Sequence, residues 1–220
     1  MSNTIIKICG LSTIETLNAA IDAGADWVGL VTFPPSPRHV EPMGAKPLAE
    51  VARGKAKIVS LSVNADDKLL DDIMACVDPD IWQFHGKETV DRVAEVKARY
   101  GRPVMKAIGV STIQDLEKIT PYHGVADYLL LDAKPPKDAV LPGGNGAAFD
   151  WTILNHLPED IEFMLSGGLS VETVADAVRS TRAFGMDVSS GAESSAGIKD
   201  VSLIKPVSYT HLTLPTICSV

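Results

Sequence analysis

Eight short apolar runs, each leading into a helical pattern or a helix start, predict an α/β chain closed into a (β/α)8 barrel. The units recur every roughly 20–35 residues, which suits eight βα steps in a chain of this length. Unusual residues gather in the loops that follow strands, while the loops that lead into strands are plain. A barrel carries its chemistry at the C-terminal ends of its strands, and this asymmetry fits that arrangement. An open doubly wound sheet is the structural alternative, but no GxGxxG follows the first strand. No break in composition divides the barrel, so a single domain is expected over 1–205.

The first run, Ile5-Ile6-Lys7-Ile8-Cys9-Gly10, reads as a strand covered on both faces and stopped by glycine. Ser12 is the expected N-cap of the next helix, with Glu15 completing a capping box. Ile14, Leu17, Ala20 and Ile21 then recur at helical spacing until Gly24. A strand over 27–31 leads through a proline-rich loop to a helix over 45–53. Strand 57–63 precedes helix 66–77, and strand 80–84 precedes an amphipathic helix over 87–100. Strand 103–108 is followed by helix 112–119. Strand 128–131 runs into a long Gly/Pro loop and a helix over 149–154. Strand 162–166, helix 171–180 and strand 183–188 complete the series. A last helix starts over 197–205, and Pro206 is expected to cut it short. The stretch 206–220 alternates Thr and Leu without a helical face and reads as a non-native or divergent tail.

With 45% hydrophobic and 22% charged residues, the chain has ample material for a core. A net charge of −8 argues against a nucleic-acid binder, which needs a basic stripe to neutralise phosphates. A small anion remains compatible, because a few local cations and backbone N–H groups can hold one. No apolar run approaches a membrane span, and the polar start Met1-Ser2-Asn3-Thr4 does not read as a signal peptide. Cys9, Cys76 and Cys218 show no CxxC or CxxH spacing, so neither a disulfide framework nor a zinc site follows. A cytoplasmic protein is expected.

The loops after strands supply the candidate site. Ser166-Gly167-Gly168-Leu169 follows the seventh strand and Asp187-Val188-Ser189-Ser190-Gly191 the eighth. Glycines let backbone N–H groups approach an anion, and phosphate sites of barrels often sit at these two loops. Two ordinary glycine turns are the plainer reading. Phe33-Pro34-Pro35-Ser36-Pro37-Arg38-His39 is stiffened by proline and presents Arg38 either to an anion or to solvent. Cys9 and Asp132 sit immediately after the first and sixth strands and should reach the same mouth. A thiolate can act as a base if its pKa falls from about 8.5 toward neutrality. A carboxyl group in a partly dry pocket can act as an acid. The plainer reading makes Cys9 a buried spacer and Asp132 an N-cap or turn residue. Lys7 points to the same side as Cys9, where it either biases the thiol or forms a lower salt bridge. Gln83 and His85 end the fourth strand at the mouth. Cys76, near a helix C-terminus, reads as core filler.

These motifs, taken together, resemble the phosphoribosylanthranilate isomerase family. The matching pieces are Lys7-Ile8-Cys9-Gly10-Leu11, the loop ending Ser36-Pro37-Arg38, Gln83-Phe84-His85-Gly86, and Leu130-Leu131-Asp132. Gly143-Gly144-Asn145-Gly146 with Phe149-Asp150-Trp151 and the two Ser/Gly turns continue the match in order. The resemblance implies a TIM barrel and an Amadori rearrangement of N-(5-phosphoribosyl)anthranilate. It also implies Asp132 as general acid, Cys9 as base, and Arg38 facing the anthranilate carboxylate. Asp187 would lie near the sugar hydroxyls, and the Gly167-Gly168 and Ser189-Ser190 backbones would hold the phosphate; Gln83 and His85, at the mouth, are expected to bind substrate. No metal or organic cofactor is implied, and the expected partner is the small phosphorylated substrate. A monomer is expected, with a dimer as the alternative.

Two other functions compete. A related barrel lyase would need a lysine acid, for which Lys106 on the fifth strand is the candidate, and would leave Cys9 and the Arg38 loop without roles. A barrel that only binds a phosphorylated ligand is the non-enzymatic reading.

Overall fold

The computed structural model describes residues 4–134 and 149–213. Eight parallel strands hydrogen-bond in sequence order and the eighth returns to the first, closing a single-domain barrel. The strands are β1 (Ile5–Cys9), β2 (Trp27–Thr32), β3 (Lys57–Ser62), β4 (Ile81–Phe84), β5 (Val104–Val110), β6 (Tyr128–Ala133), β7 (Met164–Leu165) and β8 (Gly185–Val188). The helices are α1 (Ile14–Asp22), α2 (Pro42–Ala52), α3 (Asp67–Val77), α4 (Val90–Tyr100), α5 (Val174–Ser180) and α6 (Val201–Thr213). Among the described residues between β5 and β7, the outer layer holds shorter 3-10 turns, Ile113–Lys118, Thr120–Tyr122 and Trp151–His156, where α-helices are expected over 112–119 and 149–154.

Period-two alternation sorts the strand side chains into two cores. Trp27, Val59, Ile81, Met105, Ala107, Leu130 and Met164 fill the barrel interior. Ile6, Ile8, Val28, Ile58, Trp82, Val104, Leu131 and Val188 face outward and pack under the helices. Each fully buried aliphatic side chain contributes about 1.5–3 kcal/mol.

The N-terminal rim is sealed by a repeated device. Asp26 donates its N–H to Ile6 O (2.9 Å), and its Oδ2 accepts the Ile6 N–H (2.8 Å). Asp80 does the same to Ile58 (2.9 and 2.7 Å), and Asp127 to Val104 (2.8 and 2.9 Å). An aspartate before each of β2, β4 and β6 thus caps the strand before it.

Several boundaries differ from the sequence expectation. Thr13, not Ser12, caps α1: its Oγ1 accepts from Thr16 N at 3.2 Å, which leaves Glu15 as a first-turn acid. The last helix begins at Val201, within the expected 197–205, but continues through Pro206 to Thr213 instead of stopping there. Proline removes one backbone donor, but Ile204 and Val207 are fully buried against the core beside α1 and α5, and this packing offsets the loss. A hairpin not expected from the sequence, β9 (Glu193–Ser195) with β10 (Ile198–Lys199), fills the loop after β8. Gly143 to Gly146 and Cys218 lie outside the described residues.

Candidate active site

At the C-terminal end of the barrel the interior changes from apolar to polar. Lys7, Cys9, Gln83, Asp132, Ser166 and Asp187 sit one above or beside another on the inward positions of β1, β4, β6 and the β7–β8 ends, and all are buried. Val31 and Leu61 form the apolar wall against Cys9. Lys7 Nζ donates to Asp187 Oδ1 at 2.7 Å, and Ser166 Oγ lies 3.4 Å from Asp187 Oδ2. Burial alone would lower the Lys7 pKa, but Asp187 and Cys9 overcome it and hold it above the usual lysine value. Burial holds the Cys9 thiol above its ordinary range; Lys7, hydrogen-bonded to it, pulls it down, Asp187 pushes it up, and Lys199 lowers it further, so the cations offset only part of the rise.

Across the mouth, His85 Nε2 is 3.2 Å from Asp132 Oδ2, and Gln83 Nε2 is 3.5 Å from His85 Nδ1. The Gln83 Oε1 is buried with no hydrogen-bond partner.

The two glycine turns meet. Ser170 and Gly191 form a parallel bridge, and a Cβ on Gly191 would lie 1.9 Å from Leu169 O, so only glycine admits the contact. Gly167 has φ +90°, and a side chain there would strike Ala133 N at 2.4 Å. Ser189 Oγ donates to Cys9 O at 3.2 Å, tying the β8 turn to the end of β1.

Arg38 is not solvated. Its stem crosses Gly10, and its Nε and Nη2 grip both oxygens of Glu193 at 2.7 and 2.8 Å. Lys199 Nζ reaches the same carboxylate at 2.6 Å and Ser189 O at 3.0 Å. Burial raises the Glu193 carboxyl, but the two cations outweigh it and hold it below the ordinary range. Burial draws the Lys199 ammonium down, and with Arg38 sharing the carboxylate Glu193 does not fully restore it. His39 is structural: its Nδ1 accepts from Phe33 N at 3.1 Å. Cys76 is half-buried against the core at the other end of the barrel.

Lys106 does not reach the mouth. It alternates with the inward Met105 and Ala107, so it points outward, where it bonds Gly86 O (2.8 Å) and Glu88 Oε2 (2.9 Å). Glu88 also accepts from Asn64 N and Gly86 N, so the pair pins the loop after β4. The lyase alternative loses its acid.

Known proteins bear on this arrangement. The family model described as N-(5'phosphoribosyl)anthranilate (PRA) isomerase matches residues 6–209. The chain belongs to this family. The isomerase of Nitrobacter winogradskyi is 55% identical over 201 residues, covering 91% of this chain and 89% of that one. The crystal structure of phosphoribosyl anthranilate isomerase from Thermotoga maritima is 31% identical, with a TM-score of 0.86 over 96% of this chain and all of that one. A further isomerase structure, in complex with reduced 1-(o-carboxyphenylamino)-1-deoxyribulose 5-phosphate, is 31% identical with a TM-score of 0.82 over the same share.

Among the groups of this isomerase that sequence reasoning left out, Glu193 and Lys199 stand first. Their signal was present: opposite charges flank a glycine-containing turn, the pattern of a hairpin with a cross-strand ion pair. Glu88 carried no comparable signal.

Proposed function

We propose that Cys9 and Asp132 carry out the isomerisation in this chain, as general base and general acid. The chain is an isomerase of tryptophan biosynthesis that converts N-(5'-phosphoribosyl)anthranilate to 1-(2-carboxyphenylamino)-1-deoxyribulose 5-phosphate by an Amadori rearrangement. In this reading Asp132 gives a proton to the ribose ring oxygen. The anthranilate nitrogen lone pair expels the C1–O bond, leaving a C1=N iminium. The Cys9 thiolate removes the C2 proton, and that electron pair forms C1=C2 and neutralises the iminium. The enol then becomes the ketone. Every substrate atom is retained, so the rearrangement consumes no oxidant, reductant or organic cofactor.

The observation that carries the assignment is the inward polar set at the strand C-termini, with a thiol on β1, a carboxyl on β6 and a buried ammonium beside the thiol. Lys7 supports the base, because a cation in a dry interior offsets the desolvation of a thiolate. The backbones of Gly167, Gly168, Ser189 and Ser190 would hold the phosphate at the paired turns. Arg38 and Lys199 bring two cations together around Glu193, and Arg38 would face the anthranilate carboxylate. Asp187 would face the sugar. All of these groups come from one chain, so a monomer suffices, and a base that works as a free thiolate suits the reducing cytoplasm. Among the described residues no helix is long and apolar enough to cross a membrane.

The test is loss of anthranilate-type fluorescence when substrate is generated in the presence of the protein. Cys9→Ala and Asp132→Asn should each lower kcat by about 10²–10⁴-fold with the fold intact. Full turnover in either variant would overturn its assignment.

A further inference from the structure

The contacts around Asp132 carry a second step, one that rests on Asp132 being the acid. A general acid has two states in each turnover, and its neighbours must suit both. His85 Nε2 faces Asp132 Oδ2 at 3.2 Å, and the side chains are 13% and 5% exposed, so little water competes for the contact. If the ring proton is on Nε2, Oδ2 can accept it whether Asp132 is an acid or a carboxylate, because a protonated carboxyl keeps an acceptor oxygen. If the ring proton is on Nδ1, Nε2 offers only a lone pair. That tautomer suits Asp132 before proton transfer and opposes it afterwards. The other ring nitrogen decides between them. Gln83 presents its amide Nε2 to His85 Nδ1 at 3.5 Å from a fully buried position directly beneath, and an amide N–H donor selects the ring with a bare Nδ1. The loop that carries His85 is held from the outside. His85 N donates to Ser62 O at 3.0 Å, Gly86 N to Glu88 Oε2 at 3.0 Å, and Lys106 Nζ to Gly86 O at 2.8 Å.

We propose that Gln83 and His85 are positioning residues for the acid: Gln83 fixes the Nε2–H tautomer of His85, and that N–H holds Asp132 Oδ2 and stabilises the carboxylate left after Asp132 gives up its proton. The proton given to the substrate leaves from the other oxygen, Oδ1. The hydrogen bond to His85 strengthens as negative charge develops, so it favours the transition state over the bound substrate. Direct substrate contact by the same residues would act mainly on KM, and this separates the two roles.

The experiment uses the full chain with nitrogen-15 in its histidines, together with His85→Leu, His85→Gln, His85→Asn and Gln83→Met. The nitrogen spectrum of the wild type should show a pyrrole-type Nε2 and a pyridine-type Nδ1 for His85, and Gln83→Met should mix the two forms. His85→Leu should lower kcat roughly 10- to 100-fold with KM changed less than about threefold. His85→Gln, whose amide N–H falls near the lost Nε2–H, should recover most of that loss, and His85→Asn, which mimics Nδ1, should not. A proton on Nδ1, an unchanged kcat in His85→Leu, or equal kcat in the Gln and Asn variants would each overturn the proposal. An inactive Asp132→Asn beside a fully active His85→Leu would reject this role while keeping Asp132 as the acid. An active Asp132→Asn would reject both. If His85→Leu does not fold, the spectrum of the wild type and of Gln83→Met decides alone.

Discussion

Lys7 is the residue on which the base depends. A buried thiol resists ionisation, and the fully buried Lys7 ammonium beside it is the largest opposing influence. Replacing it in Lys7→Met removes that counterweight and pushes the thiol further up. Because the base works only when deprotonated, kcat should fall about 10- to 100-fold at neutral pH and recover as pH rises, with the rising limb displaced upward. A pH profile of kcat checks this, and a uniform loss across pH would contradict it. The variant also strands the Asp187 carboxylate, at about 3–5 kcal/mol, so activity must be read below a lowered Tm. The positions of Cys9 and Asp132 were legible because side chains alternate along a strand, and counting from Gly10 or along Leu130-Leu131-Asp132 shows which way each points. The partner of Arg38 was not legible in the same way. Glu193 lies 155 residues away, and only barrel closure brings the two loops together.

At the scale of elements, chain connections rest on single polar nodes. Asp115, which is 4% exposed, gathers Ser111 N (3.1 Å), Thr112 N (3.1 Å), Lys118 Nζ (2.6 Å) and Lys134 Nζ (3.1 Å). It thereby ties the turn after β5 to the end of β6, two residues beyond Asp132. Burial would raise its carboxyl, but Lys118, Lys134 and Ser111 reverse this and hold it well below the carboxylate range. Asp115→Asn should destabilise by about 1–3 kcal/mol at neutral pH, most of it from the backbone and hydroxyl donors, since the lysine heads are half exposed and screened. The folded pKa is depressed, so this stability is present above the unfolded value of about 3.9 and is lost as pH falls through the folded value. Denaturant midpoints of the two proteins should therefore converge in acid, and a constant gap would refute the account. Sequence reading found the elements here but not their kind. Ile113–Lys118 and Trp151–His156 are too short, and too dominated by local side-chain bonds, to settle as α-helices. Pro206 misled in the opposite direction, because burial of Val207 lies outside any local rule.

For the whole molecule, the barrel separates what holds it together from what reacts. The three aspartates that precede β2, β4 and β6 bond Ile6, Ile58 and Val104 at the N-terminal rim, the full length of the barrel from Cys9 and Asp132. Alternate strands carry the cap, so the fold behaves here as repeated two-strand units, a regularity visible in the sequence as Asp26-Trp27, Asp80-Ile81 and Asp127-Tyr128. A composition-based reading passes over it, since each aspartate taken alone is an ordinary turn residue. Converting each to Ala removes one charged acceptor from a strand N–H, at about 1 kcal/mol where water can partly replace it. The three sites share no partners, so the losses should add to roughly 3 kcal/mol and lower the Tm by about 6–12 °C. The polar set at the opposite end is built on other residues, and kcat of the triple variant below its Tm should stay within about twofold of the parent. Calorimetry and the fluorescence assay on the same sample test both halves together. A kcat that fell along with the Tm would show that the rim transmits to the mouth through the interior layer of Trp27, Ile81, Met105 and Leu130, and the separation of stability from chemistry would not hold.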